Sequence, residues 1–186
     1  MGAYAKYPGQ SLRDNELMTA ALRVHENGQP IDFSYEAILD YHGRAAPAGV
    51  AHALKVMERA FPLLDPAAPV ERREVMITTA FAGPGARDAF EAVTRAVTEG
   101  RYTVDPRLEA AERGQTMASF VFHVGYRDDV VRLQLRPGHV SDEFIDLART
   151  DDLSPAQSDR LHRLKLEMSE RLRSLDAAEV YDVLAD

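Results

Sequence analysis

The sequence predicts an α+β fold: a mixed, largely antiparallel sheet with flanking helices and a C-terminal helical extension. Three observations carry this expectation. The segment order runs helix–helix–strand–helix–strand–hairpin–helix, without the regular alternation that builds a doubly wound parallel sheet. "TMASFVFHVGYRDDVVRLQLRPGH" reads as two strand-like runs folded back around Arg127, Asp128 and Asp129, an antiparallel hairpin. At 186 residues with 45% hydrophobic content, the chain can bury one core and hardly two. The expected division is a loose arm over residues 1–10, a single α+β domain over 11–150 and a charged helical tail over 151–186.

Taken in order, "SLRDNELMTAALRVHENG" predicts a helix. Ser11 is its cap, Leu12, Leu17, Ala20, Ala21 and Val24 its apolar stripe, and Asn27-Gly28 its stop. A short helix is expected from Ser34, with Tyr35, Ile38 and Leu39 inward. Pro47 suits the first turn of the next helix. There Val50, Leu54, Met57 and Phe61, spaced by four, three and four, form one buried stripe, with His52 on the opposite side. "EVMITTAF" has the β-branched content of a strand. "AGPG" turns into the helix "ARDAFEAVTRAVTEG", whose inner face is Ala86, Phe90, Val93 and Val97. "RYTVD" is a short strand, "SDEFIDLAR" a helix capped by Ser141, and Ser154-Pro155 begins the tail helix. Leu161, Leu164, Met168 and Leu172 give that tail an apolar stripe, which packs across the body or against a second copy in a homodimer.

Composition excludes several classes of function. A formal charge of −8, with arginines scattered among acids, lacks the basic face of a nucleic-acid binder. No apolar run is long enough to span a bilayer, and "MGAYAKYPGQSLRD" lacks the apolar stretch of a signal peptide, so no membrane partner is expected and the expected compartment is the cytoplasm. There is no cysteine. Disulfides, iron–sulfur clusters, thiolate-ligated zinc and a cysteine nucleophile are therefore excluded.

"YHGRAAPAGVAHALKVMERAF" resembles the His-Gly-His-x-Cys-Pro-Gly helix start of the formylmethanofuran dehydrogenase E-like family. "EVMITTAF", the turn, "ARDAFEAVT" and the hairpin follow in that family's order, over roughly residues 35–147. Tyr41-His42-Gly43, Pro47, Asp88-Ala89 and Gly114 match. The departures fall on the metal residues: Arg44 replaces the second His, Ala46, Gly85 and Ala96 stand at cysteine positions, and Gln115 replaces a lysine. The resemblance implies a metal-binding α+β domain, often dimeric, tied to one-carbon or molybdenum enzymology. With every thiolate gone, an imidazole or oxygen site is what remains open, for a metal ion or heme.

The candidate site follows from these residues. His42 and Arg44 lie on the loop entering the Pro47 helix, where first-turn amides and a guanidinium suit a carboxylate or phosphate oxygen. Both are candidate catalytic residues, His42 as general base or as ligand to a cation or heme iron. Its alternative role is to cap a carbonyl and hold a turn. Asp88 and Glu91 share a helix face one turn before Arg95, and with Arg44 form the candidate substrate-binding set; a solvated salt-bridge ladder is the alternative. His123 points away from the face of Phe122 and Val124, and would join His42 in holding a metal or cofactor if that face met the His42 loop. His139 fits a loop or capping role, and His25, His52 and His162 are expected in solvent. Two functional classes are compatible with this set. One is a protein, or an enzyme, binding a small anionic ligand or heme-like cofactor in a reused metal pocket; the other is a catalytically silent assembly or sensing domain.

Overall fold

A computed structural model describes residues 22–185. The chain enters as a two-stranded hairpin, β1 (Leu22–Glu26) and β2 (Gln29–Phe33), and then forms α1 (Tyr35–His42) and α2 (Pro47–Leu64). β3 (Val75–Thr79), α3 (Pro84–Thr94) and β4 (Tyr102–Val104) follow, then the hairpin β5 (Val121–Tyr126) and β6 (Asp129–Leu135). The last elements are α4 (Asp142–Ala148), α5 (Pro155–Ser174), α6 (Ala177–Val180) and β7 (Tyr181–Val183). The main sheet has the order β4-β3-β5-β6-β7, with β3 and β4 parallel and every other pair antiparallel. The α+β architecture with its largely antiparallel sheet is therefore as expected.

One face of the sheet carries the core. Val75, Ile77, Phe122, Val124 and Leu133 project from it onto α2, which is flanked by α3 and α5. Val50, Leu54, Met57 and Phe61 are all buried along α2, as their spacing requires. Because neighbours flank α2, most of its other positions are buried as well, and the exposed ones, Pro62 and Leu63, lie near its C-terminal end. His52 is 1% exposed, which corrects its expected solvent position. It does lie opposite Val50, but at that level of α2 packed neighbours cover both sides, so neither is wet.

Two element assignments are corrected. The helix expected over 11–28 gives way, from Leu22 onward, to the β1–β2 hairpin; its first part, like the 1–10 arm, lies outside the described residues. Leu22 and Val24 alternate with exposed Arg23, the period of a strand. Asn27 (φ 52°) and Gly28 (φ 75°) then make the two-residue turn that suits the twist of paired strands. The Glu71 carboxylate accepts from both turn amides, at 2.9 and 2.6 Å. His25 accordingly sits half-buried on a strand.

The tail is likewise helical only in part. Ser154 and Gln157 form a reciprocal cap at the start of α5, and Leu164, Met168 and Leu172 bury against the body. The Tyr35 hydroxyl bonds Ser169 Oγ (2.6 Å) and donates to the Pro47 carbonyl (3.2 Å), while Arg173 lies over the Tyr35 ring and pairs with Glu36. The chain then turns through α6 and adds β7 to the sheet edge, with Tyr181 opposite Leu135. No helix among the described residues is long and apolar enough to cross a membrane.

Candidate functional site

α1 ends at His42 because Gly43 follows with φ 87°, and the Gly43 amide closes the turn on the Leu39 carbonyl. This directs the His42 ring toward α3, where Nδ1 lies 2.8 Å from Asp88 Oδ2. An ionised carboxylate can only accept, so Nδ1 carries the proton, and in the neutral imidazole Nε2 keeps its lone pair. The His42 side chain is 9% exposed and the Asp88 side chain 29%. Arg87 adds a 3.3 Å contact to the other carboxylate oxygen.

The start of α2 lies against the start of α3. Neither helix has a side-chain cap, and both carry proline in the first turn, so each presents the positive end of its dipole there. The approach depends on glycine. A Cβ on Gly85 would meet the Ala46 carbonyl oxygen at 2.7 Å and the Ala46 Cβ at 2.9 Å; one on Gly49 would meet the Ala86 amide nitrogen at 3.1 Å. Ala46 and Gly85, two of the positions equated with cysteines, are thus neighbours packed too closely to hold an ion between them. Ala96 lies beyond the other end of α3, roughly 16 Å away for a helix of 11 residues, and does not share the site.

The remaining candidates are dispersed. The Arg44 guanidinium turns outward, with its side chain 81% exposed and 3.2 Å from Asp40, away from the inward ring of His42. Asp88 and Glu91 are not brought together. Glu91 is buried and accepts from the Val97 amide (2.8 Å), the Thr98 amide (3.0 Å) and the Thr98 hydroxyl, closing the turn after α3, with Arg95 at 3.7 Å. Burial alone would raise its pKa; the Thr98 and Val97 hydrogen bonds and Arg95 outweigh burial and hold the carboxyl below its usual value. His123 projects from the sheet face opposite Phe122 and Val124, so the sheet stands between it and the helices carrying His42. The two imidazoles do not converge. No group of three or more histidine and carboxylate side chains among the described residues is arranged to hold a metal ion.

One polar pair lies beyond the reach of the sequence reading. His52 Nδ1 is 2.8 Å from the Tyr181 hydroxyl inside a cage that includes Phe120 and Phe81, and its Nε2 has no partner. No local pattern announces this pair, because its members are 129 residues apart. Arg72 is another such case: its guanidinium donates to the Val93 and Ala92 carbonyls at the end of α3 (2.6 and 2.7 Å). Gln115, standing where the resemblance has a lysine, donates to Asp142 at 2.9 Å and anchors α4. No family model matches the chain, and no curated protein matches it, so the site is defined by its own geometry.

Proposed function

We propose that the chain is a small-molecule-binding protein whose site centres on His42 Nε2, with Asp88 holding the ring from behind. The carrying observation is the 2.8 Å bond from His42 Nδ1 to Asp88 Oδ2. A carboxylate behind an imidazole fixes its tautomer and the orientation of its ring. Nε2 then serves to take a proton from a weakly acidic ligand, and the resulting anion rests near the uncapped starts of α2 and α3. The likeness to the formylmethanofuran dehydrogenase E-like pattern falls on these same two residues, His42 and Asp88.

A second reading is supported by the same bond. A single oriented imidazole suits a metallocofactor that brings its other donors with it, such as heme, better than a bare ion needing several protein ligands. Titrating the purified chain with hemin separates the readings. A saturable Soret shift lost in His42→Ala and weakened in Asp88→Asn supports the cofactor reading. Saturable binding of a weakly acidic probe such as 4-nitrophenol, with its absorbance showing conversion to the phenolate on the protein and both lost in the same variants, supports the acid-ligand reading. If folded His42→Ala retains all binding, both fall and an assembly role is left.

A further inference from the structure

Residues 176–184 lie along the edge of β6 and are held there by a short ladder and by side chains. β7 is only three residues long. Its pairing is extended by one bond on each side, from the Arg136 amide to the Val180 carbonyl (2.9 Å) and from the Leu184 amide to the Arg132 carbonyl (2.8 Å). Two histidines from separate parts of the chain reach this same segment. His52, within α2, meets the Tyr181 hydroxyl at 2.8 Å through Nδ1. His139, in the loop between β6 and α4, donates from Nε2 to the Glu179 carbonyl at 3.0 Å. The other nitrogen of each ring, His52 Nε2 and His139 Nδ1, is buried without a partner.

Neither ring takes a second proton easily where it sits, because a charged imidazole carries an N–H on both nitrogens. On His52 the Nδ1–H would use the Tyr181 oxygen as acceptor and strand the hydroxyl hydrogen, while the Nε2–H meets no acceptor. On His139 the new Nδ1–H is the stranded group. The charges facing the rings mostly add to this penalty. His139 and Arg171 act on His52; Arg171 and Arg136 act on His139, and Glu179 opposes them there. Arg171 donates to the His139 carbonyl, and Arg136 holds the Ala178 carbonyl (3.1 Å) and Asp182 (3.5 Å). Burial is the largest cause in both cases, and both rings titrate below their usual value. Once the segment leaves, Tyr181 no longer closes the cage over His52, and His139 loses its cover from Glu179. The released state therefore binds more protons, and opening grows as pH falls below 6.5.

We propose that residues 176–184 are an acid-released latch, in which charging of His52 and His139 together frees the segment and bares the edge of β6. Two rings on one segment make the release steeper than either gives alone. The latch is independent of the His42 site, which shares none of these residues.

Amide hydrogen exchange of the full chain at about pH 6.5 and about pH 5.5, corrected for intrinsic rates, is the test. Over this interval Asp176, Glu179 and Asp182 of the segment stay largely ionised, so the imidazoles dominate. The Arg136 and Leu184 amides report the latch, and the β3–β5 ladder reports global unfolding. The opening constant at the two latch amides should rise by more than about fivefold, the most that one ring allows, and by up to about thirtyfold for two. The ladder amides should stay at least about tenfold better protected. His139→Gln keeps a donor for Glu179 but does not titrate, and should cut the rise to about fivefold or less. His52→Phe should do the same; if it fails to fold, His139→Gln alone decides. A native rise no larger than the one-ring limit, an unchanged rise in folded His139→Gln, or latch and ladder amides opening together would each overturn the proposal.

Discussion

The hydroxyl of Tyr181 bonds Nδ1 of His52 at 2.8 Å, tying the outermost strand of the sheet to the helix at the centre of the core. Both side chains are fully enclosed. A phenol that donates here satisfies its only proton, and leaves the His52 Nε2–H as the single unpartnered group of the pair. The opposite arrangement strands two groups. The pair is therefore neutral, with Tyr181 as donor.

Acid should loosen the fold through His52. Burial, and then the charges of His139 and Arg171, lower its pKa to about 3 from 6.5. Below pH 6.5 the unfolded chain takes up a proton that the folded ring refuses. Stability is thus complete above that pH and declines as pH falls toward 3, by at most about 1.4 kcal/mol per pH unit. Urea unfolding near neutrality and at about pH 5 measures the slope. A His52→Phe variant should show a shallower one, and identical slopes would refute the assignment.

Tyr181→Phe keeps the ring and removes the donor. Stranding His52 Nδ1 in the core should cost about 1–3 kcal/mol. The amides pairing β6 with β7 should also exchange faster. The double variant His52→Phe/Tyr181→Phe should lose less than the sum of the two, because the orphaned partner is gone. Simple additivity would mean the bond carries no coupling.

Gly85→Ala and Gly49→Ala should differ. At position 85 the new methyl strikes backbone oxygen and an alanine methyl below 3.0 Å, so the helices must separate, costing roughly 1–3 kcal/mol. At position 49 the closest approach is 3.1 Å, and the gain in helix propensity, about 1 kcal/mol, offsets the crowding. Thermal melts that reverse this order would show that the α2–α3 contact is looser than described.

Glu91→Gln preserves shape but weakens the acceptor for two amides and a hydroxyl. A loss of about 1–2 kcal/mol is expected at neutral pH. Since the native carboxyl titrates below its usual value, its contribution is present above the unfolded pKa and fades as pH falls through the folded one. The native–variant difference should therefore shrink in acid. A difference independent of pH would assign the effect to packing.

The helices are legible where local chemistry decides them. Ser34, Ser141 and Ser154 cap α1, α4 and α5, and Pro47 opens α2, each signalled within a few residues. The β5–β6 hairpin is legible for the same reason. What escapes the sequence depends on distant partners. Asn27-Gly28 ends a helix as readily as it joins two strands, and Glu71, which grips the turn, is far along the chain. Periodicity misplaces His52 because it tells which residues share a side, not how many sides are covered. Of the candidate site, the His42 loop and the helix starts are visible, but the partnership of His42 with Asp88 needs α1 and α3 to meet. The opposed directions of Arg44 and Glu91 need it too.

The placement of β7 bears on how the molecule is made. A ribosome delivers the chain from the amino end, so β3 to β6 emerge while Leu133 and Leu135 still lack the strand that completes their sheet. Until residues 181–183 leave the exit tunnel, β6 is an open edge able to pair with a neighbouring nascent chain. Synthesis of this protein therefore passes through an aggregation-prone interval, which closes only when residues 181–183 pair with β6.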